Sequence, residues 1–288
     1  MIDLHIHTIA SDGQHTAAEI VAMAKQLSLE AIAIADHNTV ESVAEGREEA
    51  AKAGIEFAEA TELDTVFHEL DLHLLGYFID IDSPTCKEYM KEIHDAKLEQ
   101  TRERVRKLQE LGFVIDFDSL LRLSGGRLPY GVEYMRVLQE HEENRQDPRV
   151  QEYISGPRSN SPFLNFYLDW LKSGRPAFVP LEVQPAERAI RKIKQMNGVP
   201  ILAHPSDTPP EYAHELIDAG LLGLEVYSSY HDDRMTESWR KLAVDRNVLI
   251  TAGSDFHGKD RKLDVKLAGI PQGDYQFFKK LKQAAGRE

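Results

Sequence analysis

Cysteine is almost absent. Cys86 is the single one in 288 residues, which excludes an internal disulfide and any thiolate metal cluster. No apolar run reaches the roughly 20 residues a membrane helix needs, so no membrane partner is expected. The first residues, MIDLHIHT, carry an acid at Asp3 and no basic leader. A secretory signal is therefore not expected, and the cytoplasm is the expected compartment. Positive charge is also short: 34 Lys and Arg stand against 48 Asp and Glu, a formal net charge of −14. Such a field repels long polyanions unless it is locally inverted, so duplex nucleic acid is not an expected partner. A small phosphorylated substrate fits if metal ions supply the missing charge. No repeat or low-complexity tract interrupts the chain, and nothing in it fixes the oligomeric state.

What is present is an α/β rhythm. The length and the 42% hydrophobic content suit one large α/β domain, or such a domain carrying an insertion. Strands are expected at 2–7, 30–36, 55–60 and 70–79, and helices at 17–27 and 40–53. Thr16 and Glu19 form a capping-box pattern ahead of the first helix. This spacing predicts parallel βα units. From residue 84 to about 111 the chain reads as one long, highly charged helix. Residues 122–162 are rich in Gly, Pro, Arg and Asn and hold a helix at 132–143, with another at 163–171. Residues 84–170 are thus expected to form a mainly helical insertion, a cap, with 1–83 and 171–288 forming the α/β body. The βα rhythm resumes with a strand at 176–180. Helices follow at 185–196, 210–219, 234–245 and 275–284, and strands at 199–203, 223–226 and 248–252.

The chemistry-bearing residues fall at the strand ends. His5 and His7 are two apart, so an extended strand points both to one side. Asp12 follows in a short loop, and Asp36-His37 closes the second strand. Glu62 lies past the third strand, His73 in the fourth, and His204 directly after the strand at 199–203. Asp255 and His257 make another two-apart pair after the last strand. Parallel strands ending on one face bring such groups together. His5, His7, Asp12, His37, Glu62, His73, His204, Asp255 and His257 would serve two to three divalent ions, with carboxylates bridging. Nitrogen and oxygen donors without sulfur favour zinc, manganese or iron over calcium.

Each residue also has a plainer reading: His73 as a hydrogen-bonded core histidine, His204 as a strand end, Asp12 and Glu62 as helix caps. Asp36 reads as a partner orienting a histidine ligand. His15, His68, His94, His141 and His214 read as exposed, and His231 as a loop histidine.

Five motifs carry a family resemblance: DLHIHTIASDG (3–13), IAIADHNT (32–39), ATELD (60–64), ILAHP (201–205) and GSDFHG (253–258). In this order they resemble the PHP (polymerase and histidinol phosphatase) family of metallohydrolases. The resemblance implies a distorted (β/α)7 barrel and a site for up to three metals. It implies His5, His7, Glu62 and Asp255 around a first metal, and Asp12, His37 and His257 around a second. Glu62, His73 and His204 would hold a third, with Glu62 bridging.

Asp12 stands where many members have histidine. That is similar to the branch of small-nucleotide phosphatases, which includes enzymes of 3',5'-nucleoside bisphosphates and relatives that trim short RNA from the 5' end. Two stretches depart from that branch. Gly126-Arg127-Leu128-Pro129 replaces Gly-Arg-Pro-His, and Ser206-Asp207-Thr208 replaces Gly-Arg-Tyr. A related branch opens cyclic phosphates of phosphorylated ribose.

The expected reaction is metal-dependent hydrolysis of a phosphate ester of a small nucleotide or phosphorylated ribose. The attacking group would be a metal-bridging hydroxide positioned by Glu62, Asp255 and His257. Arg127 and Arg158, each in a Gly/Pro-rich loop of the insertion, are the expected phosphate contacts. No side chain stands out as a general acid. The competing readings are hydrolysis of a ribose cyclic phosphate, trimming of short RNA, and amidohydrolase-type C–N hydrolysis. A non-catalytic metal-binding domain is the remaining alternative, and it would need coordinatively closed sites.

Overall fold

A computed structural model of the chain describes residues 1–181, 183–270 and 272–287. The first half of the barrel runs β1 (Ile2–Ile6), α1 (Ala17–Gln26), β2 (Ala31–Ile34), α2 (Val43–Ala53), β3 (Glu56–Phe67) and β4 (Leu70–Tyr77). A helical stretch follows: α3 (Pro84–Glu110), α4 (Phe117–Leu123), α5 (Gly131–Glu140), α6 (Glu142–Gln146), α7 (Pro148–Ile154) and α8 (Pro162–Phe166). The last of these continues into a π-helical turn, Tyr167–Leu171. The barrel resumes with α9 (Ala186–Gln195), β5 (Val199–Leu202), α10 (Pro210–Asp218), β6 (Gly223–Ser228), α11 (Asp233–Asp245), β7 (Leu249–Gly253) and α12 (Tyr275–Ala284).

Local chemistry sets several of these starts. Thr16 and Glu19 cap α1 reciprocally, as the capping-box pattern predicts. Ser83 accepts from the Cys86 amide, and Pro84 fills the first helical position of α3, where a missing N–H costs nothing. Asp232 and Asp274 do the same capping work for α11 and α12.

The seven strands form one sheet in the order β1 to β7. It curls until its edges nearly meet. The Asp255 amide donates to the His5 carbonyl at 2.8 Å and the His7 amide to Phe256 at 2.9 Å. The result is the expected α/β barrel of seven strands.

Two details differ from expectation. β3 runs on to Phe67 and turns back, so β4 pairs antiparallel with both β3 and β5. The turn is a two-residue one with positive φ at His68 (48°) and Glu69 (66°), the geometry of a type I′ hairpin. Neither residue is Gly, Asn or Asp, so the usual signal for that turn is missing from the sequence. The strand expected at 176–180 is not formed: those residues run without ladder pairing.

Three apolar layers position the site. Small and branched side chains of the strands (Leu4, Ala33, Ala58, Leu75, Ile201) fill the barrel interior. A second layer lies between strands and outer helices. The helical stretch has its own core, from Val105 and Leu108 through Tyr134, Val137 and Phe166 to Ala177. α3 reaches both clusters: Cys86, Tyr89 and Ile93 pack on the barrel, while Val105 and Leu108 pack into the core of the helical stretch. Between them, over the strand ends, its buried face is polar: Lys97, Gln100, Thr101 and Arg104. Among the described residues no helix is long and apolar enough to cross a membrane.

Candidate metal centre

The strand termini bring all nine predicted ligand residues to one end of the barrel. β1 directs His5 inward and leads to His7. The turn after β2 holds His37 beside Glu62 of β3 through a parallel bridge. β4 supplies His73, the end of β5 His204, and the turn after β7 supplies Asp255 and His257. Asp255 adopts φ of 57°, an uncommon conformation for a residue with a side chain.

Glu62 is the hub. Its Oε2 lies 3.1 Å from Nε2 of both His5 and His7. Its Oε1 lies 2.9 Å from His73 Nδ1 and 3.0 Å from His204 Nε2. Asp255 Oδ1 is 3.0 Å from His7 Nε2 and 3.4 Å from His5 Nε2, and those two imidazole nitrogens are 3.1 Å apart. Asp12 Oδ1 sits 3.1 Å from His257 Nε2, and Asp12 Oδ2 lies 4.0 Å from His37 Nε2.

Ligand atoms gather most tightly in three sets: His7, Asp12, His37 and His257; His5, Glu62, His204 and Asp255; and His37, Glu62 and His73. The grouping is not identical to the one the resemblance implies: His7 joins Asp12, His37 and His257, His204 joins His5 and Asp255, and His37 falls in two sets. His7 presents Nδ1 toward Asp12, at 3.6 Å, and Nε2 toward Glu62 and Asp255.

This packing is hard to sustain without cations. Asp12 Oδ1, His37 Nδ1, Glu62 Oε2, Asp255 Oδ1 and His257 Nε2 are all buried with no hydrogen-bond partner. Unpaired buried polar atoms of this kind are costly, and here five of them point at one another. Imidazole nitrogens and carboxylate oxygens together are the donor set of zinc, manganese and iron sites. The residues therefore fit divalent metal ions.

A surrounding shell fixes their orientation. Glu225, fully buried in β6, accepts from His5 Nδ1 at 3.1 Å and from the His204 amide at 2.9 Å, leaving His5 Nε2 aimed at the cluster. His257 Nδ1 donates to the Asp255 carbonyl at 2.8 Å, which leaves its Nε2 lone pair facing Asp12. Lys262 Nζ and the Tyr230 hydroxyl both donate to Asp255 Oδ2 at 2.5 Å. Burial opposes the charge on Lys262, but the Asp255 carboxylate outweighs it and holds the ammonium above its ordinary range. Asp3 accepts from the Ser254 amide at 2.9 Å and the Ala268 amide at 2.7 Å, tying β1 to the β7 loop. Burial pushes its carboxyl up to about 6, against those hydrogen bonds.

Some sequence expectations need correction. Asp36 orients no imidazole; it accepts from the Thr8 amide and hydroxyl at 2.7 Å and from Ser11 Oγ at 2.6 Å, shaping the loop that carries Asp12. His231 lies in the loop after β6, as expected, and is buried there with Nδ1 2.8 Å from the Val226 carbonyl. Neither expected arginine lines the cavity above the cluster. Arg127 is exposed, in the turn after α4. Arg158 is committed to Asp169 at 2.5 and 2.9 Å. Lys97, Arg104, Arg261 and Lys262 line the cavity instead, with His37, His73 and His257 on its floor. α5, α8 and the π-helical turn form its roof through Tyr134, Phe163 and Tyr167.

The sequence held a signal for two of the residues missed. Asp64 is two positions after Glu62 and so shares its face of β3; its Oδ1 lies 3.3 Å from His37 Nδ1. Glu225 is a carboxylate inside the otherwise apolar strand GLEVY. Lys262 and Tyr230 carried none.

Comparison with known proteins agrees with this geometry. The chain is 24% identical over 265 residues to the phosphoribosyl 1,2-cyclic phosphate 1,2-diphosphodiesterase of Eggerthella lenta, covering 89% of this chain and 94% of that one. It is 26% identical to the 3',5'-nucleoside bisphosphate phosphatase of Chromobacterium violaceum, covering 89% and 87%. It is 25% identical to the 5'-3' exoribonuclease Rnm of Salmonella typhimurium, covering 88% and 84%. Two solved structures share the fold at 22% identity, each covering 98% of this chain and 96% of its own. One is a candidate metal-dependent phosphoesterase from Bifidobacterium adolescentis, with a TM-score of 0.79. The other is an amidohydrolase from Chromobacterium violaceum with bound sulfate and no metal, with a TM-score of 0.78. The model of the PHP domain matches residues 3–155, and with the nine residues above gathered at one barrel end, the chain belongs to the PHP domain family.

Proposed function

We propose that this chain is a metal-dependent phosphoesterase that hydrolyses phosphate from a small nucleotide or a phosphorylated ribose, such as a 3',5'-nucleoside bisphosphate. The observation that carries the reading is the set of five partnerless buried ligand atoms on the floor of a cavity walled by cationic side chains. His5, His7, Glu62 and Asp255 would hold one ion, and Asp12, His37 and His257 a second. Glu62, His73 and His204 would hold a third, with Asp64 beside it. Manganese, iron and zinc suit these donors. When bound, such ions polarise a phosphoryl oxygen and bring the pKa of water toward neutrality.

The chain's own side chains do the positioning. Glu62, Asp255 and His257 lie where the three sets adjoin and would orient the attacking oxygen. Lys262 and Tyr230 hold Asp255 in place, and Lys262 adds a cation beside the phosphate. Phe163, Tyr167 and Leu164 cover the floor, which limits water and bulky ligands. The acidic surface repels a long polyanion beyond the metal centre, so a small substrate is favoured over RNA.

The second reading is hydrolysis of a cyclic phosphate of phosphorylated ribose. It is favoured by the Eggerthella lenta relative, which matches over 94% of its length. The amidohydrolase likeness supports the fold alone.

A substrate panel tests the reading, with protein loaded with manganese, iron or zinc. The panel holds 3',5'-nucleoside bisphosphates, 5'-mononucleotides, ribose cyclic phosphates, histidinol phosphate and short RNA. Turnover of the first class, lost in Asp255→Ala together with bound metal, is expected. Preference for the cyclic phosphates selects the second reading. No phosphate release from any member, with full metal occupancy, overturns both.

A further inference from the structure

An alkoxide is a poor leaving group, and a positioned acid that gives it a proton speeds its departure. The side chains around the metal floor leave one such acid uncommitted. The cavity over the floor adjoins a second chamber, lined by Leu70, Leu72, Leu168, Ala203 and Ser206. His37, His73, Asp71 and Lys262 border both chambers from the barrel, and Leu164 and Tyr167 border both from the helical stretch. Tyr167 therefore sits in the roof where the two chambers meet over the ligand histidines.

An uncommon piece of backbone holds it there. Tyr167 opens the five-residue π-helical turn, in which the Lys172 amide bonds back to the Tyr167 carbonyl at 2.9 Å. Such wide turns are rare and are found mostly at functional sites. Side chains brace this one. Asp169 accepts from Arg158 at 2.5 and 2.9 Å and from the Tyr153 hydroxyl at 3.0 Å, and Trp170 Nε1 donates to the same hydroxyl at 2.8 Å. Arg158, expected to contact phosphate, instead supports the turn that carries Tyr167.

The other protic groups near the floor are engaged. Tyr130 donates to the His37 carbonyl at 2.8 Å, Tyr230 and Lys262 to Asp255 Oδ2 at 2.5 Å, and Lys97 to Asp64 Oδ2 at 2.6 Å. The Tyr167 hydroxyl makes no hydrogen bond among the described residues. The Tyr134 hydroxyl is also without a partner, but Tyr134 borders the first chamber and not the second. The charged groups around the Tyr167 phenol are Asp71, Arg104, Asp64 and Glu62. Burial, and next the Asp71 carboxylate, hold it above its ordinary range, against the pull of Arg104, so it keeps its proton at neutral pH. Geometry points the same way. Attacking and leaving oxygens lie roughly in line through phosphorus, so attack from the floor, where Glu62, Asp255 and His257 sit, turns the leaving oxygen toward the roof.

We propose that Tyr167 is the general acid of the reaction, its hydroxyl giving a proton to the leaving oxygen of the ester. This rests on the phosphoesterase reading and fills a role which that reading leaves open. In the step, a water oxygen bonds to phosphorus and the P–O bond of the ester breaks. The electron pair of that bond stays on the leaving oxygen, which takes the phenol proton. The proton given up by the attacking water restores the phenol, so one water is consumed and no co-reactant is needed.

The test compares oxygen with sulfur at the bridging position that is cleaved, for the ester that the substrate panel selects. For a nucleoside bisphosphate the pair is adenosine 3',5'-bisphosphate and its bridging phosphorothiolate. For a cyclic phosphate it is the ribose compound and its counterpart with sulfur in the phosphate ring. kcat/KM is measured for the metal-loaded wild type, Tyr167→Phe and Asp71→Asn. Metal content by elemental analysis and affinity for inorganic phosphate by calorimetry are measured on the same samples. Tyr167→Phe should lower kcat/KM for the oxygen ester about 100- to 10,000-fold, the usual contribution of a general acid. The sulfur ester should lose far less, because a thiol ionises near pH 8.5 or so, about as cysteine does, and leaves without a proton. Metal content and phosphate affinity should match the wild type.

Equal losses for the two esters, or no loss, overturn the proposal. So does a loss that tracks metal content or phosphate affinity, which would make Tyr167 a structural residue, and so does an oxygen-selective loss found in Asp71→Asn and not in Tyr167→Phe. A wild type that turns over no ester of the panel fails the phosphoesterase reading itself, and the acid falls with it; that outcome is read before any variant is compared.

Discussion

At the scale of single residues, the centre is set as much by its supports as by its ligands. Glu225 fixes the ring of His5 and the backbone of His204. Glu225→Gln keeps the shape but removes the charge that favours the Nδ1–H tautomer of His5. Metal affinity should fall about 10–100-fold, the usual cost of losing such a partner, with the fold intact. Competition with a chelator of known affinity measures it, and unchanged affinity would remove Glu225 from the site's machinery. Arg127 gives the opposite case. It is exposed in the turn after α4, so Arg127→Ala should change KM by no more than about twofold, as a surface substitution does. A KM rise of tenfold or more would place this loop over the substrate after all.

Elements explain why the ligands were legible and the substrate contacts were not. The ligands sit at strand ends, and two rules locate them without coordinates: residues two apart share a face, and parallel strands share an end. Histidine and carboxylate at those positions stand out against apolar strands. The cationic wall lies instead on α3, whose sequence is charged throughout. Which face is buried depends on where the cap docks, and periodicity in a polar helix does not reveal that. The arginines of Gly/Pro-rich loops drew attention because of their setting, but the cap folds with those loops outward. The β3–β4 hairpin was hidden for a different reason: its turn lacks the residues that favour positive φ. Close packing between β1 and β7 makes a further demand. A Cβ on Gly253 would lie 2.2 Å from His5 Cβ and 2.5 Å from Glu225 Oε1, both held by the cluster. Gly253→Ala should therefore destabilise by about 1–3 kcal/mol, the range for an overfilled core, and should weaken metal retention as well. Thermal melts with metal analysis check both; a variant as stable and as metal-rich as the wild type would show that the barrel seam is looser than these distances imply.

For the whole molecule, the metal centre and the fold depend on each other. Asp12, Glu62, Asp255 and Asp64 are crowded at one end of a barrel in a chain of net charge −14; Lys262 and Lys97 offset Asp255 and Asp64, and in the metal-free protein protons on the histidines offset the rest. Burial disfavours the charged form of His37, but the carboxylates of Glu62 and Asp12 outweigh it and raise its pKa to about 10. A histidine raised in this way stabilises the fold fully below its unfolded pKa of about 6.5, and the contribution is lost as pH rises toward 10. The metal-free protein should therefore lose stability between pH 6 and 9. Bound metal works in the other direction, since ions compete with protons for the same nitrogens and bind more tightly as those protons leave. An ion held at about a thousand times its Kd contributes roughly 4 kcal/mol, which for a chain of this size corresponds to about 8–16 °C in Tm. The gap in Tm between metal-loaded and chelator-stripped protein should thus be of that order near neutrality and should widen from pH 6 to pH 9. Calorimetry at the two pH values measures it. A gap that is absent, or that narrows as pH rises, would mean that the histidine and carboxylate cluster is balanced within the protein itself and that metal binding does not stabilise the barrel.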